Sequence, residues 1–143
     1  CCLCEKAMAD FLARQECDLA TLALSVNMLG QCSADEFRER AGYLVERVAD
    51  SDPGRPVVCI TLFPHFRDID PVFDPECQSS AEAFRQALRD IVAGLDRPNL
   101  SLIEGPALLP SIEGLTADLI HPGVRGMVQI GEELARRLKS VVG

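Results

Sequence analysis

Apolar and polar positions alternate along the chain with two different periods. From Glu5 to Arg14, Ala7, Met8, Phe11 and Leu12 recur at helical spacing and predict a helix. Leu19 to Met28 (LATLALSVNM) is a short apolar run, consistent with a buried strand. Ser33-Ala34-Asp35-Glu36 carries the capping-box signature, with Glu36 three residues after the Ser33 cap. The helix it opens would bury Phe37, Ala41, Leu44, Val45 and Val48 on one face and end at Asp52-Pro53-Gly54. Pro56 to Phe63 (PVVCITLF), rich in β-branched residues, predicts a second buried strand. Pro64 to Gln78 reads as a long loop. Ser79 or Ser80 then caps a helix running to about Leu95, with Phe84, Leu88, Ile91 and Val92 inward. Asn99 to Glu104 (NLSLIE) predicts a third strand. Gly105 to Pro122 reads as an irregular loop, and Val124 to Val142 as a final helix with Arg136, Arg137 and Lys139 toward its C-terminal end.

The order αβαβαβα argues for an α/β fold with a parallel sheet covered on both faces. Ligands of such sheets sit beyond the carboxyl ends of the strands. Asn27 ends the first predicted strand, Pro64-His65 follows the second, and Asp118 and His121 lie in the loop after the third. The polar candidates therefore gather on one edge. A βα series opens with a strand, whereas this chain opens with a helix, so the pattern expects N-terminal strands to be missing.

Length and composition fit this picture. At 143 residues, with 48% hydrophobic and 25% charged residues, the chain suits one globular domain spanning residues 1–143. The net charge of −8 argues against nucleic acid as a partner, because a phosphate binder needs a basic face. No apolar run approaches the roughly 18–20 residues of a membrane span. The seven cysteines show no disulfide-framework spacing, and a reducing, cytoplasmic compartment is the expectation. Cys59, inside an apolar run, reads as a small buried hydrophobe rather than a nucleophile. Cys1, Cys2 and Cys4 lack the paired spacing and histidines of a zinc site, and no metal or cofactor is expected. Asp68, Asp70 and Asp74 lack the spacing of a calcium loop and read as a solvated segment.

The chemistry concentrates in Asp118-Leu119-Ile120-His121-Pro122. A carboxylate three residues before a histidine can orient the imidazole and stabilise its charged form, which is the base half of a nucleophilic site. The bland alternatives are a turn residue and a surface histidine. Asn27 is equally readable as a turn former. His65, between Pro64 and Phe66, reads as a structural or rim residue, and the pair His65–Phe66 as a candidate substrate-pocket wall.

Gly114-Leu-Thr-Ala-Asp118-Leu-Ile-His121-Pro122, followed by Gly123 and an amphipathic helix, resembles block V of the SGNH (GDSL-like) hydrolases. Ser25-Val26-Asn27 resembles their block III, Gly-x-Asn, with Ser25 standing where the block has glycine. The resemblance implies a three-layer α/β/α fold with a parallel flavodoxin-like sheet. It also implies a serine esterase or acylhydrolase acting on a small ester, with no cofactor. His121 would be the general base, Asp118 its orienter, and Asn27 an oxyanion donor. The Gly-Asp-Ser nucleophile block and the block II glycine have no counterpart in the chain. The expectation is therefore an SGNH-type portion whose nucleophile serine lies elsewhere, with a partner chain or a further N-terminal segment completing the sheet. Two other readings stay open: a non-catalytic α/β binding or assembly module that retains the old site, and a cysteine-cluster redox or metal module.

Overall fold

A computed structural model of the chain describes residues 3–69 and 79–142. Three parallel strands form one sheet in the order β1 (Ala20–Ala23), β2 (Val57–Ile60), β3 (Leu100–Ile103). Ala20 pairs with Val57, and Val57 pairs in turn with Leu100, so all three strands run in matched register.

The central strand explains the layering. Val57, Val58, Cys59 and Ile60 are all buried, because both faces of β2 are covered. Val57 and Cys59 join Leu22, Leu24, Phe37, Leu44, Phe84 and Leu88 in one core. Helices α1 (Lys6–Ala13), α2 (Ala34–Ser51) and α3 (Ala81–Leu95) build that layer. Val58 and Ile60 point the other way, alternating as strand geometry requires. They meet Ile103 and Leu108, and Ile130, Leu134, Leu138 and Val141 of the long C-terminal helix close over them. Between β3 and that helix, a four-residue helix α4 (Gly105–Leu108) and a 3-10 turn (Ile112–Gly114) interrupt the expected loop. The last helix, α5, spans Val124–Val142 as predicted. The result is a three-layer α/β/α arrangement.

Helix starts follow the local chemistry. The Ser33 hydroxyl accepts from the Glu36 N–H at 3.2 Å, so the cap forms. Glu36 does not close a capping box; its carboxylate turns outward to Arg40, one helical turn on. Ser80 caps α3 through the Ala83 N–H, while Ser79 receives the Ala34 N–H of α2 at 3.0 Å and ties the two helix starts together.

The strands are shorter than their apolar runs. The expected strand Leu19–Met28 pairs only over Ala20–Ala23. Leu24, Met28 and Leu29 stay buried, but in the segment after the strand, packed into the core shared by α1, α2 and α3 rather than paired in the sheet. Burial without pairing looks the same as a strand in a hydrophobic pattern, so the run overstates the element. Asn27 accordingly lies in the turn beyond β1 and not at the strand end.

Among the described residues no helix is long and apolar enough to cross a membrane, and no cluster of His, Cys, Asp and Glu has the arrangement of a metal site. Cys32 and Cys59 are buried free thiols, Cys17 is an exposed one, and Cys4 is buried. Burial pushes the Cys59 thiol up to about 12, in keeping with an inert core residue. Cys1, Cys2, Cys77, Asp70 and Asp74 lie outside the described residues.

Candidate active site

The acid–base loop is built from short-range contacts. The Asp118 carboxylate is held on Oδ1 by the Thr116 hydroxyl at 2.6 Å and by the backbone N–H groups of Ile120 and His121 at 2.9 and 3.0 Å. Its other oxygen, Oδ2, lies 2.7 Å from Nδ1 of His121. Leu119 makes this possible by adopting a left-handed backbone, φ 53°, which folds the next two N–H groups back onto Asp118. The Thr116 hydroxyl, then the His121 ring and the backbone donors, hold the Asp118 carboxyl far below the usual carboxylate range. A fixed anion on Nδ1 selects the Nδ1–H tautomer in the neutral ring and leaves Nε2 as the acceptor. The His121 side chain is 74% exposed, so Nε2 is open to an incoming hydroxyl.

The loop is seated on α5. Thr116 N–H donates to His121 O at 2.7 Å and Gly123 N–H donates to Gly114 O at 2.9 Å, which closes the segment into a short hairpin. Gly126, in the first turn of α5, presses its Cα against Gly114. A Cβ there would overlap the Gly114 carbonyl oxygen and lie 2.9 Å from its carbon. A helix-interior glycine is costly, and this close approach is its reason. The sequence pattern alone gave no sign of it.

The turn after β1 is tight. Met28 and Leu29 N–H groups both donate to Ser25 O, at 2.8 and 2.9 Å. Ser25 is buried with φ 103°, a backbone region that suits glycine, and its hydroxyl donates to the Leu24 carbonyl. The turn presents Asn27 half-buried at the carboxyl edge of the sheet. Among the described residues its side-chain amide makes no hydrogen bond to protein.

The third segment follows β2. His65 is buried at 4% exposure and opens a 3-10 turn, Phe66–Asp68. Its ring Nδ1 accepts from the Arg67 N–H at 3.3 Å, and its own N–H donates to Asp68 Oδ2 at 2.9 Å. His65 is thus a buried turn-forming residue and not a rim residue. Phe66 is half-buried, its ring tilted against the His65 ring with centroids 4.5 Å apart.

A buried arginine that no motif or spacing singles out anchors this segment. Arg85 of α3 donates to the Leu62 and Phe63 carbonyls at 2.9 and 3.0 Å and grips both oxygens of Asp68 at 2.7 Å. Burial tends to raise the Asp68 carboxyl, but the Arg85 and His65 N–H hydrogen bonds outweigh it and leave it below the usual range. Beside it, Glu104 takes two bonds from Arg89 and one from the Thr61 hydroxyl, which itself receives the Gly105 N–H. These contacts stiffen the carboxyl ends of β2 and β3.

The three segments touch. Phe66 N–H donates to Leu119 O at 3.0 Å, joining the second segment to the acid–base loop. The Arg67 guanidinium lies against Gly30, at the close of the Asn27 turn, where a Cβ would meet Nη2 at 2.6 Å. The described serine hydroxyls are engaged elsewhere, apart from Ser101 Oγ, which is buried in β3 without a partner. Ser33, Ser80 and Ser111 cap helices or turns, Ser51 and Ser140 bind helix carbonyls, and among the described residues none hydrogen-bonds to His121.

A scan against protein-family models and a search of curated proteins find no match. Solved structures do match. A salicylyl-acyltransferase from a tetracycline biosynthetic pathway superposes with a TM-score of 0.78 at 17% identity, over 96% of this chain and 42% of its own. The chain has the fold of the SGNH/GDSL-type esterases. A carbohydrate esterase family 3 protein from Talaromyces cellulolyticus gives 0.75 at 16% identity, over 99% of this chain and 66% of its own. A GDSL-like lipase from Bacteroides ovatus gives 0.76 at 19%, over 96% and 40%. This chain therefore spans between 40% and 66% of the length of these SGNH/GDSL-fold proteins.

Proposed function

We propose that the chain supplies the acid–base and oxyanion parts of an SGNH-type serine ester hydrolase that acts on a small ester. The observation that carries this reading is the Asp118–His121 pair: a carboxylate pinned by three donors, an imidazole oriented through Nδ1, and an open Nε2.

His121 Nε2 takes the proton of a serine hydroxyl as its oxygen attacks the ester carbonyl. Asp118 stabilises the imidazolium that forms and does not itself become protonated. The side-chain N–H of Asn27 donates to the tetrahedral oxyanion; a carboxylate there would repel it. The intermediate collapses with the His121 proton passing to the leaving alcohol. Water, activated by the same imidazole, then releases the acid and returns the serine. The half-exposed Phe66 ring suits a wall for the acyl or alcohol group.

The serine reaches His121 from a strand laid parallel on the outer edge of β1. Two features support that route. Thr21 and Ala23 are exposed on the side of the sheet where α5 covers β2 and β3. The start of α5 carries a second apolar stripe, with Val124, Met127 and Val128 at 84%, 59% and 55% exposure. A strand–helix segment from the same protein or a partner chain would bury both surfaces and close the edge.

Hydrolysis of an aryl acetate tests the reading in a protein that joins these residues to a serine-bearing strand. His121→Ala should lower kcat by at least about 10⁴-fold, and Asn27→Ala by about 10²–10³-fold with KM little changed. Turnover that survives His121→Ala, or that the 143 residues perform alone without a serine partner, overturns it.

A further inference from the structure

The turn His65–Asp68 touches both other segments of the site. Phe66 N–H reaches Leu119 O, inside the loop that holds Asp118 and His121. The Arg67 guanidinium rests on Gly30, which has φ 89° and admits no side chain there. Gly30 closes the turn that carries Asn27. The directions of Phe66 N–H and Arg67 depend in turn on the shape of the 3-10 turn, and His65 sets that shape from within. It is the N-cap, its Nδ1 accepts the Arg67 N–H, and its backbone N–H is taken by Asp68, which Arg85 clamps.

We propose that His65 is a positioning residue of this site: its Nδ1 acceptor fixes the one turn that holds the Asn27 turn and the Asp118–His121 loop in register. The proposal rests on the assignment of Asn27 and His121 to the site. What the position requires is an acceptor, not merely bulk. With Nδ1 accepting, the neutral ring carries its proton on Nε2. A second proton would have to sit on Nδ1, facing the Arg67 N–H donor, and the turn would open. The groups facing the ring are Arg67, Asp68, Arg85 and Asp118. Burial first, then the two guanidiniums, disfavour its charge, while the two carboxylates favour it; the balance holds the ring below its ordinary value of 6.5. Mild acid is therefore expected to uncouple the two parts of the site.

Amide and imidazole NMR on the 143-residue chain tests this without any turnover. His65 and His121 are its two histidines, so their ring signals are separable. His65→Leu removes the acceptor; His65→Asn offers Oδ1 in its place. The Gly30 and Leu119 amide signals should move in His65→Leu and stay near their native positions in His65→Asn. In the unmodified chain the same two signals should titrate with the midpoint of the His65 ring. Signals unmoved in His65→Leu, or displaced equally in both variants, or indifferent to the His65 titration, overturn the proposal. If His65→Leu does not fold, the Asn variant and the titration decide. Loss of ester turnover on changing Asn27 or His121 is a separate readout, so the bridge and the site assignment can fail independently.

Discussion

Two glycines of α5, five residues apart, should respond to alanine in opposite directions. At Gly131 an added Cβ meets nothing within 4 Å, so Gly131→Ala gains helix propensity without strain and should stabilise the chain by about 0.5–1 kcal/mol. At Gly126 the added Cβ would lie 2.9 Å from the Gly114 carbonyl carbon. Carbon pairs settle near about 3.5–4.0 Å, so helix and loop must part by roughly 1 Å. Overpacking of that kind costs about 1–3 kcal/mol, and the helix gain offsets part of it. Gly126→Ala should therefore be net destabilising by about 1–2 kcal/mol, and the two variants should differ by about 2 kcal/mol. Urea unfolding followed by circular dichroism reads this directly. With a slope of about 2 kcal/mol per M, the two midpoints should lie about 1 M apart on either side of the unmodified chain. Because Gly123 N–H bonds Gly114 O, the displacement in Gly126→Ala should also reach the hairpin that holds Asp118. A Gly126→Ala protein as stable as the unmodified chain would refute the reasoning, as would equal shifts in the two variants.

Three further outcomes are expected. Ser25→Gly should raise stability by about 1 kcal/mol, because it relieves a non-glycine backbone at φ 103°; a lower urea midpoint would show that the buried hydroxyl bond to Leu24 outweighs the strain. Arg85→Met should cost about 3 kcal/mol or more, since it strips the Leu62 and Phe63 carbonyls of a donor and leaves Asp68 without its cation; a loss under about 1 kcal/mol would contradict the anchoring role. Stability should also fall in mild acid. The folded His65 ring resists protonation, so as pH drops below about 6.5 the unfolded chain takes up the proton first, and the loss is complete once pH passes below the folded value. Asp68, held below the usual carboxylate range, adds a second loss only in stronger acid, below about pH 4. Urea midpoints unchanged between about pH 7.5 and pH 5 would count against the His65 step.

What the sequence made legible follows from how local each determinant is. Asp118 and His121 stand three positions apart in one loop, so spacing alone displayed the pair. Helices α2 and α3 were legible because their inward faces, from Phe37 to Val48 and from Phe84 to Ile91, repeat at helical spacing and are buried as expected. The end of β1 was not legible. Leu24, Met28 and Leu29 are as apolar as strand residues but are buried in the helix-side core after pairing has stopped, and pattern cannot separate those cases. Arg85 was equally hidden: nothing around it signals a side chain that bonds carbonyls more than twenty residues earlier. The contacts that assemble the site, Phe66 to Leu119 and Arg67 to Gly30, join segments far apart in the chain. Gly30, Gly114 and Gly126 are required by close approach, which only the folded chain reveals.

The proposed role of the Asp118–His121 pair turns on which nitrogen of His121 is the acceptor. Long-range 1H–15N spectra of the chain, recorded where the imidazoles are neutral, report that directly. His121 should carry its proton on Nδ1, bonded to Asp118, with Nε2 unprotonated, and Asp118→Asn should remove that preference. A neutral His121 with its proton on Nε2, or a tautomer indifferent to Asp118→Asn, would mean that the ring is not poised as a base and would contradict the proposed role of the pair.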